Sequence, residues 1–501
     1  MGRITHVCLS DVHAGAAASL ATRVDDALAV HPAAPSPTSA AFGTAMQDLL
    51  TRHNQDQFGA PYAGAHKPMA ILMGDLLDLA FCNRADAAVS YCSWFSAITG
   101  GGNDWFADDA VMLPGNHDHS LWTAARFADE ARAAETGQVE GLLAATKAAQ
   151  PALADGLRGS ATASGILAPM ITALNRRCGL PGTVTINYPN FALVSDDHAR
   201  AVVFHHGHFV DATYTMMSRL VDVLTGKRRR HSAQALADEN ANWIDFGWSS
   251  FGEASDLCKI VNDLYTGAEN GAEARQLRDR AAKLIERAIV AKLPMGGDTT
   301  LQTWIERGVL AGLDTTLGAW SDSERYSKTL YLSPDGLTGL TTYLDGAVKP
   351  QLVEELGAVP PDLTFIFGHT HKPFVDQVLT AAGQSISVAN TGGWYLDNTR
   401  LDSRDGAAMV LIDEDLNAVS IRYFGVPTND IPTRVSVDLV SRPSPSATAF
   451  HDQISGYVQD GLAVWDALSE TAADAYRLRQ TMMFAQLDAM DAEAGQTGAI
   501  L

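Results

Sequence analysis

Short runs of consecutive apolar residues punctuate this chain, and five of them stop at a cluster of acid, imidazole or amide side chains. Ile4–Leu9 runs into Asp11, Ala70–Met73 into Gly74, Ala110–Leu113 into Gly115, Ala201–Phe204 into His205, and Leu363–Phe367 into Gly368. Runs this short, without alternation and rich in Val, Ile and Leu, predict strands covered on both faces. Ser385–Ala389, Ala408–Ile412 and Ala418–Phe424 read as later strands, and Thr183–Asn187 with Phe191–Val194 as a strand pair.

Between these runs the apolar period becomes helical. Phe42, Met46, Leu49 and Leu50 share one face, after a loop containing Pro32, Pro35 and Pro37 that cannot be helix. The intervals at about 120–180 and 214–344 are rich in Ala and Leu at helical spacing, and Leu277, Ala281, Leu284, Ile285 and Ala288 form a stripe in the second. Both are too long to be connecting loops, so they predict helical insertions. Pro443 and Pro445 mark a boundary, which divides the chain into a main domain over 1–442 and a helical tail over 443–501. Strands interleaved with helices, with chemistry at the strands' carboxyl ends, predict an α/β fold.

Composition narrows the class. The 501 residues, 46% hydrophobic, are enough for a large core. A formal charge of -22, from 58 acidic against 36 basic residues, favours solubility and counts against extended nucleic-acid binding. The five cysteines are odd in number and lack a CxxC pair, so they read as reduced thiols. The first residues enter a strand pattern at once, and no apolar run approaches the eighteen or so residues of a spanning helix. A cytoplasmic location is the plain expectation.

The five clusters are Asp11-Val12-His13, Gly74-Asp75-Leu76-Leu77-Asp78, Gly115-Asn116-His117-Asp118, His205-His206-Gly207-His208 and Gly368-His369-Thr370-His371. Residues two apart on an extended segment point the same way, so the side chains of Asp11 and His13, and those of His369 and His371, are expected to project together. Asn116 is an unusual neutral oxygen ligand, and Gly115 before it permits a tight turn. Any one cluster is a common accident. Five in order supply ligands for two divalent metals sharing one carboxylate, the arrangement that clamps attacking and leaving oxygens at phosphorus.

The set resembles the calcineurin-like metallophosphoesterases, whose pattern D-x-H, G-D-x-x-D, G-N-H-D/E, H, G-H-x-H is complete between about Ile4 and Gly425. The resemblance implies a β-sandwich flanked by helices in four αββα layers, interrupted here by the insertions. It implies that Asp11, His13 and His371 bind one metal, that Asn116, His206 and His369 bind a second, and that Asp75 bridges both. His117 would then face the phosphoryl group or the leaving oxygen, oriented by Asp118. His206 best matches the family's H-G step, with His205 and His208 as the competing ligands. Asp78, His208 and Asn390 are expected behind the ligands or toward substrate. Mixed nitrogen and oxygen ligation suits manganese, iron or zinc, manganese first.

Departures from the pattern narrow the substrate. Protein phosphatases of this family would show GDxxDRG and GNHE, and purple acid phosphatases a tyrosine near position 78, where Asp78 stands. The expectation is a phosphodiesterase or pyrophosphatase acting on a small-molecule or lipid-linked phosphate ester. A phosphomonoesterase, a nuclease of the same superfamily and a non-catalytic scaffold are the alternatives. Met216, Met217, Leu220, Val221, Val223 and Leu224, followed by Lys227-Arg228-Arg229-Arg230, leave room for a peripheral membrane contact. The blander reading is a cap helix ending in cations.

Overall fold

Each of the ten apolar runs forms a strand, and their pairing decides where the motifs meet. The computed structural model describes residues 2–62, 66–102, 105–137, 152–155, 165–226, 231–249, 331–381, 383–429 and 431–498. In chain order the strands are β1 (Ile4–Leu9), β2 (Thr22–Val24), β3 (Val30–Pro35), β4 (Met69–Leu72), β5 (Ala110–Met112), β6 (Ala152–Asp155), β7 (Ile166–Leu167) and β8 (Val184–Ile186). They continue as β9 (Asn190–Val194), β10 (Arg200–His205), β11 (Asp362–Phe367), β12 (Phe374–Leu379), β13 (Ser385–Asn390), β14 (Gly406–Asp413), β15 (Ala418–Gly425) and β16 (Ser436–Leu439).

The protein is mixed α/β with two main sheets. One has eight strands in the order β16-β15-β14-β1-β4-β5-β8-β7, and the other six in the order β12-β13-β11-β10-β9-β6. Each has a parallel centre: β1-β4-β5-β8 in the first, β10-β11-β13 in the second. Parallel strands end on the same edge, so the turns after β1, β4 and β5 lie together, as do those after β10, β11 and β13. That topology carries all five motifs to one end of the sheets.

The sheets share an apolar interior. In-register partners Cys8, Ile71 and Val111 point to one face of the first sheet and pack with Phe191, Val202, Phe204, Ile366 and Ala389 of the second. Their neighbours Val7, Leu9, Leu72 and Met112 point the other way, into a second cluster with Phe42, Met46 and Trp94. Helix Pro37–Phe58 supplies the predicted Phe42/Met46/Leu49/Leu50 face; Ser36 caps it by accepting from Ser39 N at 3.0 Å, and Pro37 opens it. Tyr343, Leu344, Val348 and Leu352 pack with Val203, Phe365 and Val388 of the six-stranded sheet.

Three expectations change. The segment expected as a proline loop is strand β3 through Pro32 and Pro35, and Pro37 opens the following helix. Thr183–Asn187 and Phe191–Val194 do not pair: β8 runs parallel to β5, β9 antiparallel to β10, and the chain crosses between sheets at Tyr188-Pro189. Both runs are buried on both faces, and apolar runs without alternation do not say which partner they take. The interval 120–180 is not purely helical. Helices Ser120–Glu135 and Pro169–Arg177 flank β6 and β7, which extend one sheet each. Short Ala/Leu runs serve either state, and an available sheet edge decides it.

The second insertion contributes helices Met216–Thr225, Ala233–Ile244 and Pro334–Tyr343. The Leu277 stripe and the Lys227–Arg230 cluster lie outside the described residues. Beyond Pro443, helices Pro445–Asp460 and Leu462–Gly498 pack back on the molecule, with Trp465, Leu468 and Tyr476 buried. Among the described residues no helix is long and apolar enough to cross a membrane.

Candidate metal centre

The turns that end the parallel strands are strained. Asp11, His13, Asp75, His369 and His371 take φ of 51°, 49°, 49°, 71° and 58°, in the left-handed region that side-chain-bearing residues avoid. Such positions cost on the order of 1–3 kcal/mol each and persist only where the surroundings enforce them. Here backbone bonds enforce them: Asp11 N donates to Gly74 O at 3.0 Å, His13 N to Asp75 O at 2.8 Å, and Gly368 N to His206 O at 2.7 Å. Gly74 and Gly115 let two turns touch. A Cβ on Gly74 would collide with the Gly115 backbone, and one on Gly115 with the Asp75 carboxylate.

A first group of ligand atoms, from Asp11, His13 and His371, lies within 4.8 Å of one another. His13 Nδ1 donates to Asp78 Oδ2 at 3.0 Å, and His371 Nδ1 to Asp397 Oδ2 at 2.8 Å. Those bonds select the tautomer, so both Nε2 atoms carry lone pairs. The two Nε2 atoms nevertheless face each other at 3.1 Å, with Asp11 Oδ1 3.5 Å from His371 Nε2. Lone pairs and a carboxylate oxygen so arranged repel, and a cation among them reverses the sign.

A second group comprises Asp75, His206 and His369. His206 Nδ1 donates to Met73 O at 2.8 Å, which leaves its Nε2 facing Asn116 Oδ1 at 3.2 Å and Asp75 Oδ2 at 3.3 Å. His369 Nδ1 is 3.0 Å from the same Asn116 oxygen. Asp75 Oδ2 also lies 3.5 Å from His13 Nε2, so this carboxylate stands between the two groups. The donor set fits metal ions, and these buried His and Asp groups can hold them.

Charge supports the same reading. Burial pushes Asp75 up, but His206 and His117 outweigh it and hold the carboxyl well below its ordinary range. Burial likewise pushes His206 down, yet Asp75 and Asp11 raise it to about 9. His13, where burial dominates, falls to about 4. One imidazole is thus cationic and another neutral within a single buried cluster.

His117 packs edge-on against His13, ring centroids 4.6 Å apart, with Nδ1 3.3 Å from Asp78 Oδ1. The orienting carboxylate is therefore Asp78, not Asp118 as expected. Asp118 instead accepts from Gly115 N at 2.7 Å and Leu76 N at 2.8 Å, tying two motif turns together. Starved backbone donors at a tight turn capture the nearest carboxylate, and that competition is invisible in sequence.

The crowded fourth motif resolves. His206 alone reaches the ligand groups. His205 accepts from Gly207 N at 2.7 Å and packs on Tyr343, while His208 Nε2 meets Tyr188 OH at 3.0 Å. Asn390 donates to Gly368 O at 2.6 Å and accepts from Gly392 N at 2.8 Å, holding the His369–His371 turn. Thr391, beside Asn390, meets Ser10 Oγ at 2.6 Å; sequence reading missed Asp397 behind His371 and Asp211 at 3.9 Å from His369 Nε2. The usable signal for Asp397 was the rule that a ligating imidazole donates its other N–H to an acceptor.

No known family model matches this chain, and no curated protein matches it either. Fold and site define a mixed α/β protein with buried groups competent to hold metal.

Proposed function

We propose that this chain is a binuclear-metal-dependent phosphoesterase of the calcineurin-like kind, cleaving phosphodiester or pyrophosphate bonds of a small-molecule or lipid-linked substrate. One observation carries the reading: a single Asp75 oxygen lies 3.5 Å from His13 Nε2 and 3.3 Å from His206 Nε2, so one carboxylate serves two ligand groups. In this reading Asp11, His13 and His371 hold one divalent metal, Asn116, His206 and His369 the other, and Asp75 bridges. The apolar cluster between the sheets, with helices on their outer faces, supports the four-layer αββα sandwich.

Metals bound there would supply Lewis acidity, lowering the pKa of water and neutralising charge on the phosphoryl oxygens. The mixed donor set favours manganese, iron or zinc, manganese first. The chain's own residues then do the rest. Asp78 takes His13 with one oxygen and faces His117 with the other, which fixes both rings relative to each other. Held beside Asp78 and His13, His117 is the imidazole placed to protonate a departing oxygen. Asp118 and Asn390 hold the turns that aim the ligands.

Elemental analysis of protein purified without chelator, followed by hydrolysis of bis(p-nitrophenyl) phosphate with added manganese, tests the reading. Bound transition metal, about two per chain, with turnover is expected. Metal-loaded protein inert toward mono-, di- and pyrophosphate esters alike would favour the non-catalytic scaffold.

A further inference from the structure

The C-terminal helix Leu462–Gly498 carries a charged side chain into the interior. Arg479 is only 3% exposed and lies on the face that also buries Tyr476 and Met483. Its Nη2 donates to Ser19 O at 3.0 Å and to Thr22 O, while its Nε has no hydrogen-bond partner among the described residues. Burial lowers the guanidinium to about 10, so it stays charged at neutral pH. A buried cation held only by carbonyls is costly, and an apolar side chain at this position would avoid the cost. Packing alone gives no reason for an arginine here.

What the guanidinium holds supplies one. Ser19 and Thr22 belong to the segment that follows His13, and this segment is laddered to the one that carries Asp397. Trp394 N donates to Asp11 O at 2.9 Å, Leu20 N to Trp394 O at 2.7 Å, and Leu396 N to Ala18 O at 3.2 Å. Ser19 Oγ donates to Val12 O at 2.6 Å, between the two ligands Asp11 and His13. On the other side of the ladder, Gln480 Nε2 donates to Thr399 O at 2.7 Å, two residues past Asp397. Adjacent residues of one helix thus grip both segments. The φ of 51° at Asp11 and 49° at His13 needs such enforcement. Asn116, His206 and His369 of the second group follow β5, β10 and β11 instead.

We propose that Arg479 and Gln480 are positioning residues for the first ligand group, so that the C-terminal helix sets how tightly that group holds its metal. The proposal rests on the binuclear reading given above. Arg479 fixes Ser19, whose hydroxyl holds the backbone between Asp11 and His13. Gln480 fixes Thr399 and with it the segment that aims Asp397 at His371 Nδ1. Loosening either segment turns a ligand, or the carboxylate behind a ligand, away from the metal. An imidazole whose partner is misaligned is a weaker and less directed donor.

Metal-free, full-length protein is titrated with cobalt(II), followed by calorimetry and visible absorption. The binding event that Asp397→Asn weakens belongs to the first group. Arg479→Met keeps the length of the side chain and removes its donors; it is expected to weaken that event roughly tenfold and leave the other unchanged. Gln480→Ala should shift the same event by less, and Arg479→Lys, which still donates, should recover part of the loss. Both events weakened alike, or no shift in either folded variant, would overturn the proposal. Hydrogen exchange on the metal-free protein reads the brace without metal: the Leu20, Trp394 and Leu396 amides should exchange faster in Arg479→Met, and unchanged exchange there also overturns it. A wild type that takes up no cobalt would defeat the binuclear reading, and the exchange result would still decide the brace. If Arg479→Met does not fold, Gln480→Ala, whose side chain is half-buried, carries both measurements.

Discussion

The two ligand groups look alike in sequence and differ in what stands behind them. In the first, both imidazoles are backed by carboxylates: Asp78 behind His13 and Asp397 behind His371, with Asp11 as the third ligand atom. In the second, His206 is backed by the neutral Met73 carbonyl, Asp211 stands 3.9 Å from His369 Nε2, and Asn116 brings no charge. An anionic partner raises the basicity of a ligating imidazole and fixes its orientation. The first group should therefore bind its metal tightly and the second exchangeably. The lesson is that donor count is equal in the two groups, and affinity is set one layer further out.

The largest effect should come from abolishing the distinction. Asp75→Asn removes charge from the carboxylate standing between both groups, so metal content and turnover should fall together, turnover by more than roughly 10³-fold. Elemental analysis beside steady-state kinetics checks this, and normal turnover by the variant would dismantle the shared-carboxylate reading.

A residue belonging to neither group comes next. His117→Ala should keep the metals yet lose about 10²–10⁴ in kcat. If proton donation is its part, the loss should shrink for nitrophenyl relative to alkyl leaving groups. Equal losses would leave charge stabilisation alone.

Asp397→Asn addresses the comparison directly. It should weaken the first metal by about 10–100-fold and leave the second unchanged, as read by calorimetric metal titration. A variant weakened equally at both sites would mean that the groups are not separable.

The smallest effect is a matter of pH. Metal must displace the His206 proton, and with His206 held at about 9 the second group's affinity should rise by up to about tenfold per pH unit until pH nears 9. His13, down at about 4, is already neutral, so it adds no such slope to the first group above pH 5. In metal-free protein the sign is opposite for stability. His206 is raised above its ordinary value near 6.5, so its contribution is complete below that pH and is lost as pH rises through about 9. Titrations at pH 6, 7 and 8 that gave two parallel affinity slopes would erase the contrast.

Local order explains what was legible beforehand. Ile4–Leu9 and Leu363–Phe367 read as strands because an unbroken Val/Ile/Leu run needs cover on both faces whichever sheet it joins. Pro443 and Pro445 marked the start of the helical tail, whereas Pro37, expected in a loop, opens a helix capped by Ser36, because proline excludes the helix interior but not its first position. Partner choice did not read. β8 and β9 are three residues apart and belong to different sheets, and the Ala152–Asp155 stretch became a strand only because β9 offered an edge.

The same division runs through the site. By itself the sequence determined which side chains are offered, since ligand type belongs to the residue; the segments expected to be extended at Asp11/His13 and His369/His371 are instead left-handed turns. Only the tertiary structure chose His206 over His205 and His208, gave His117 to Asp78 instead of Asp118, and brought Asp397 behind His371. Those choices depend on hydrogen-bond donors and acceptors that meet across two sheets, from residues as far apart as Asp11 and His369, and no local pattern encodes which of them will be left waiting for a partner.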